Sequence, residues 1–73
     1  MTDKLLPSTV LEQAHRLVST SVKDMRLRLP HLVTREDMRV LGAALNIARA
    51  RHQKTKTRIL EVKINRLRRE LAS

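Results

Sequence analysis

The sequence predicts an all-α chain: an antiparallel two-helix hairpin whose long second helix ends in a short coiled coil, dimeric or tetrameric. Three observations predict it. The 73 residues contain no Phe, Tyr or Trp, so a core must be assembled from Leu, Val, Ile, Met and Ala, which suits helix seams better than strands. The apolar residues recur at steps of three and four. Two Thr-led segments, Thr9-Val10-Leu11-Glu12 and Thr34-Arg35-Glu36-Asp37, have the form of N-terminal capping boxes.

The first helix is expected over residues 9–29, behind an N-terminal arm of residues 1–8. Pro7 fits a helix approach where no amide donor is needed. Leu11, Ala14, Val18, Val22, Met25 and Leu29 then fall on one face. Pro30 ends the run, because it disfavours helical backbone at Leu29. The short connection Pro30-His31-Leu32-Val33 folds the next helix back.

The second helix is expected over residues 34–72. Two acids in its first turn suit the helix dipole, and Gly42 inside it costs about 1 kcal/mol relative to alanine. Met38, Leu41, Leu45 and Ala48 form an apolar stripe, widened by Val40, Ala43, Ala44 and Ile47, so this part should be buried on two sides. From about residue 59, Leu60, Ile64, Leu67 and Leu71 step as a heptad seam. The eight stripe and seam residues are the expected oligomerisation surface, with Gly42, Ala43 and Ala44 permitting close approach of a second chain. Extending the first stripe predicts seam positions at 52, 55, 59 and 62, whereas the last seam needs 53, 57 and 60. The polar stretch between them must absorb that slip, as stutters do.

Charge and composition narrow the function classes. The formal net charge is +9, and residues 34–73 carry +7 of it against +2 for residues 1–33. Such a balance calls for an anionic partner, either nucleic acid, an anionic membrane surface or an acidic protein. The densest positive stretch holds Arg49, Arg51, Lys54, Lys56 and Arg58, which would serve nucleic acid through phosphate contacts, with weak sequence preference in the absence of aromatic stacking. There is no cysteine, hence neither disulfide nor thiolate metal site. His15, His31 and His52 have no second ligand at i+3 or i+4, so no metal or other cofactor is expected. No Ser/His/Asp arrangement or glycine-rich phosphate loop can be assembled, and the chain is not expected to be an enzyme. No apolar run spans a bilayer and the N-terminus does not read as a signal peptide, which points to the cytoplasm. Asn46 is either a polar seam residue fixing register or a surface amide.

The stretch Val33-Thr34-Arg35-Glu36-Asp37-Met38-Arg39-Val40-Leu41-Gly42-Ala43-Ala44-Leu45-Asn46-Ile47-Ala48 resembles the signature of the bacterial cell-division family ZapA: a Thr-led cap, an apolar turn, Ala-Ala-Leu-Asn, then a coiled-coil tail. Glu12 to Val18 is similar to the family's first-helix segment, and the likeness extends over about residues 8–71. It implies a structural protein that binds FtsZ and promotes protofilament bundling at the division ring. It also implies homodimeric heads and antiparallel coiled-coil tetramers, and a division-site location. The positions that match the family's FtsZ-contacting ones are Lys23, Arg26, Arg28, Arg35 and Glu36. The chain differs from the family in three respects: Met1 to Pro7 holds no counterpart of the N-terminal β-hairpin, the tail is shorter, and the charge is more positive.

Overall fold

Four helices and one 3₁₀ turn make up the described part of the chain, residues 5–72 in a computed structural model. Helix α1 spans Leu5–Ser19, α2 Val22–Arg28, α3 Arg35–Ala50 and α4 Lys54–Ala72, with the 3₁₀ turn Leu29–His31 between α2 and α3. The all-α class is what the sequence predicts, and no strand occurs among the described residues. The element order is not: each of the two expected helices is divided in two. Residues 1–4 of the expected N-terminal arm lie outside the described residues. Residues 5–8 belong to α1, so Thr9 stands within that helix instead of capping it.

The first division lies at Thr20-Ser21. Ser21 has extended backbone and its hydroxyl accepts a hydrogen bond from the Asp24 amide at 3.1 Å, which makes it the N-cap of α2. Ser21-Val22-Lys23-Asp24 thus carries the same Ser/Thr-x-x-acid spacing as the Thr34 cap. The break keeps most of the expected face inward: Ala14 and Val18 of α1, with Leu17, are buried, as are Met25 and Leu29 after the break, whereas Leu11 is 52% exposed.

The Thr34 cap forms as expected, with Asp37 as its acid. The Asp37 amide donates to the Thr34 hydroxyl at 3.0 Å, and an Asp37 carboxylate oxygen accepts from the Thr34 and Val33 amides at 3.0 and 2.8 Å. Two amides are satisfied at one carboxyl and a third at the Thr34 hydroxyl, which fixes where the chain turns into α3.

The second division changes the architecture. The expected helix over 34–72 stops at Ala50, and Arg51-His52-Gln53 reverses it. The His52 amide donates to the Arg49 carbonyl at 3.0 Å and the Gln53 amide to the Ala48 carbonyl at 2.9 Å, with His52 at φ 57°. This is a Schellman closure with histidine in the left-handed position that glycine usually takes. The Gln53 carbonyl accepts from both the amide and the hydroxyl of Thr57 at 2.9 Å, starting α4 at once. The phase slip in the sequence is therefore taken up by a reversal, not by a stutter in a continuous helix.

As a result, α4 folds back on α3, and α3 is covered by α1 and by α4. Val40, Leu41, Ala44 and Ala48 are buried between them, together with Leu60, Ile64 and Leu67 of α4, while Met38, Leu45 and Leu71 pack at the margin. Of the eight residues expected to form a seam between chains, Leu41, Ala48, Leu60, Ile64 and Leu67 are buried within one chain, while Met38, Leu45 and Leu71 stay partly exposed. The second side of α3 is covered by α4, and among the described residues no helix projects as a tail. The radius of gyration, 12.0 Å, is near the roughly 11 Å of a compact chain this long. Gly42 is not required by packing within the chain, since a Cβ built there meets nothing within 4 Å. Asn46 is exposed, as the surface-amide alternative has it.

Two substitutions should stabilise this fold. Gly42→Ala fills open space in a helix interior and should add about 1 kcal/mol. His52→Gly removes the side chain from a left-handed position and should add a similar amount, about 1 kcal/mol. For a domain of this size each should raise the midpoint of thermal unfolding by about 4–8 °C in a circular-dichroism melt. A lowered midpoint for His52→Gly would show that the reversal is not closed in this way.

Candidate functional site

Two sets of cations stand out once their partners are traced, and Lys63 belongs to both. Some hold the fold together. Arg49 Nη2 lies 2.9 Å from Glu61 Oε2 and ties the end of α3 to α4. Lys56 Nζ donates to the Val18 carbonyl, one of the last carbonyls of α1 that the helix itself leaves unpaired. Lys63 contributes to the field at Asp37. Burial by itself would push the Asp37 carboxyl up. The amide and hydroxyl of Thr34, the Val33 amide and the nearby Lys63 charge outweigh it, and the carboxyl is held below its ordinary value.

The second group lines a groove between α2, the 3₁₀ turn and α4. It encloses about 650 Å³ and is lined by Arg26, Leu29, Pro30, Lys54, Thr55, Arg58, Ile59, Val62, Lys63 and Arg66. Five cations surround it and no acid does. Lys54, Arg58, Val62 and Arg66 follow one another at four-residue intervals, so they run along one ridge of α4 over about 18 Å. Arg26 faces this ridge from α2, and Leu29, Pro30 and Ile59 form the floor. Among the described residues Arg26, Lys54, Arg58 and Arg66 make no ion pair with an acid of the chain. Val62 stands 57% exposed in the middle of the ridge.

A smaller cleft of about 380 Å³ shares Lys54 and Arg58 and adds Arg49, His52, Thr57 and Glu61. There the Arg49–Glu61 pair cancels part of the charge. The groove offers guanidinium and ammonium donors, one hydroxyl and aliphatic carbon, with no carboxylate or imidazole to accept a proton. Its chemistry is that of holding an anion. Among the described residues no three His, Cys, Asp or Glu side chains are grouped to hold a metal, and no helix is long and apolar enough to cross a membrane.

The structure disperses one predicted set and sorts the other. Of Lys23, Arg26, Arg28, Arg35 and Glu36, only Arg26 lines the groove. Lys23 is exposed on α2 and Arg35 and Glu36 on the first turn of α3, while Arg28 borders a cleft of about 180 Å³ with Gln13, Arg16, Leu17, Leu32 and Val40. Of Arg49, Arg51, Lys54, Lys56 and Arg58, Lys54 and Arg58 enter the groove. Arg51 closes α3 in the reversal, and Arg49 and Lys56 have the structural partners named above. Lys63 and Arg66 were missed; the four-residue spacing from Lys54 to Arg66 was the signal that could have found Arg66. His15, His31 and His52 are all exposed. Comparison with known proteins found no family model, no curated protein and no solved structure that matches this chain.

The Asp37 cap generates a pH dependence. A carboxyl held below its ordinary value stabilises the fold above the unfolded pKa of about 3.9, and that contribution is lost as the pH falls through the lowered native value. Asp37→Ala should cost about 1 kcal/mol at pH 7, and its stability should decline less steeply than the parent's below about pH 4, read by thermal melts across pH. Parallel curves for parent and variant in that range would refute the role.

Proposed function

We propose that this chain is a small helical module that binds nucleic acid through the groove between α2 and α4. The observation that carries the reading is the gathering of Arg26, Lys54, Arg58, Lys63 and Arg66 around one groove without an acid among them. Cations so placed repel one another, and four of them, Arg26, Lys54, Arg58 and Arg66, have no acid partner among the described residues, an arrangement that an external polyanion relieves. Contacts to phosphate release counterions, so affinity depends steeply on salt, and without aromatic side chains the readout of sequence is weak. The remaining positive charge, on Arg51, Arg68 and Arg69 among others, adds long-range attraction.

The test is fluorescence anisotropy with a labelled oligonucleotide between 50 and 200 mM salt. Four unpaired cations predict that the logarithm of the association constant falls with the logarithm of salt with a slope of about −3. Arg58→Gln and Arg66→Gln should each reduce that slope by about 0.7–0.9. Binding that is absent at low salt, or independent of salt, rejects the reading.

A second reading is the FtsZ binding that the ZapA resemblance implies. One observation favours it: Arg26 belongs both to the positions matching that family and to the groove. In co-sedimentation with FtsZ polymers it predicts enrichment in the pellet that Arg26→Gln reduces. A pellet without enrichment would remove it.

A further inference from the structure

Resting on the nucleic-acid reading, we infer that the groove takes a single strand in preference to a duplex, with phosphates on the α4 ridge and bases laid on the aliphatic floor. The ridge by itself does not separate the two, because both forms present phosphates. What separates them is the carbon between the cations. Val62 interrupts Lys54, Arg58 and Arg66 on their own ridge and is 57% exposed, and Ile59 and Pro30 continue the apolar surface toward Arg26, above the buried Leu29. A surface made for phosphates alone gains nothing from an exposed valine at its centre. The outside of a duplex is phosphate and sugar, its base faces already stacked inside, so the floor would stay uncovered. An unpaired strand has base faces free to bury that carbon.

Size agrees with this choice. About 650 Å³ lies in the range of clefts that enclose a small organic ligand, room for the bases of a short segment of strand. A duplex keeps its bases paired and stacked inside, so it meets this groove with phosphate and sugar only. Nor does α4 project as a reading helix. It packs against α3, and its cationic ridge faces α2 across the groove. With no aromatic ring in the chain, the floor contributes by covering apolar surface and not by ring stacking, so base preference stays low.

The experiment compares a labelled mixed-sequence 12-mer with the duplex of the same sequence, at one low salt concentration, on the parent, Val62→Ser and Arg58→Gln. Thermal melts of each variant verify that the exposed substitutions leave the fold intact. The single strand should bind at least tenfold tighter than the duplex. Val62→Ser should weaken the single strand about fivefold and leave the duplex unchanged, while Arg58→Gln should weaken both. Equal affinity for the two forms, tighter duplex binding, or a Val62→Ser effect that is nil or the same for both overturns the inference and leaves the nucleic-acid reading standing. Failure of the parent to bind either form overturns both.

Discussion

The packing of this chain depends on the reversal between Ala50 and Lys54. Two apolar stripes, one on α3 and one on α4, are too wide to leave in water, and a chain of this length has little other carbon with which to cover them. The Schellman closure at Arg51-His52-Gln53 turns the second stripe onto the first. Its two hydrogen bonds use carbonyls that α3 leaves unpaired, so little is lost by ending the helix there. The cost is a histidine in left-handed backbone, on the order of 1–2 kcal/mol. Burial of Leu60, Ile64 and Leu67 in one core with Leu41, Ala44 and Ala48 offsets it several times over, at roughly 1.5–3 kcal/mol for each large side chain.

The same reversal decides where the charge goes. Folding α4 back places Arg49 against Glu61 and brings Lys56 to the end of α1, so two cations of the basic stretch become structural ties. It also sets the opposite ridge of α4 beside α2, where Arg26 joins Lys54, Arg58 and Arg66 around one groove. Surface pairs such as Arg49–Glu61 contribute little by themselves, about 0–1 kcal/mol. Their consequence here is selective: the acid is spent outside the groove, and the groove is left uniformly positive.

Much of the fold can be read along the chain, and the misreadings have specific causes. The Thr34 cap is local, needing only a hydroxyl and a carboxyl three residues apart, and it forms as expected. Ser21 and Asp24 carry the same local signal, but the apolar spacing across them suggests one continuous face and conceals the break. At Arg51-His52-Gln53 there is no glycine or proline to mark a stop. The one trace is the register slip between the two stripes, and a stutter and a reversal produce the same slip. For the groove, the four-residue spacing of Lys54, Arg58 and Arg66 is visible along α4, whereas Arg26 lies far away in sequence and joins them only through the fold.

The helical class, the capped start of α3, the apolar faces that must be buried and the excess of positive charge all follow from residue type and short-range spacing. Tertiary structure alone decided what covers those faces and which cations remain without a partner. Hydrophobic burial is non-directional, so a stripe of leucines is satisfied equally by a second chain or by its own neighbour. Three residues whose backbone bonds reverse the helix bring α4 onto α3, so most of the two stripes is buried within the chain, with a cationic groove beside it.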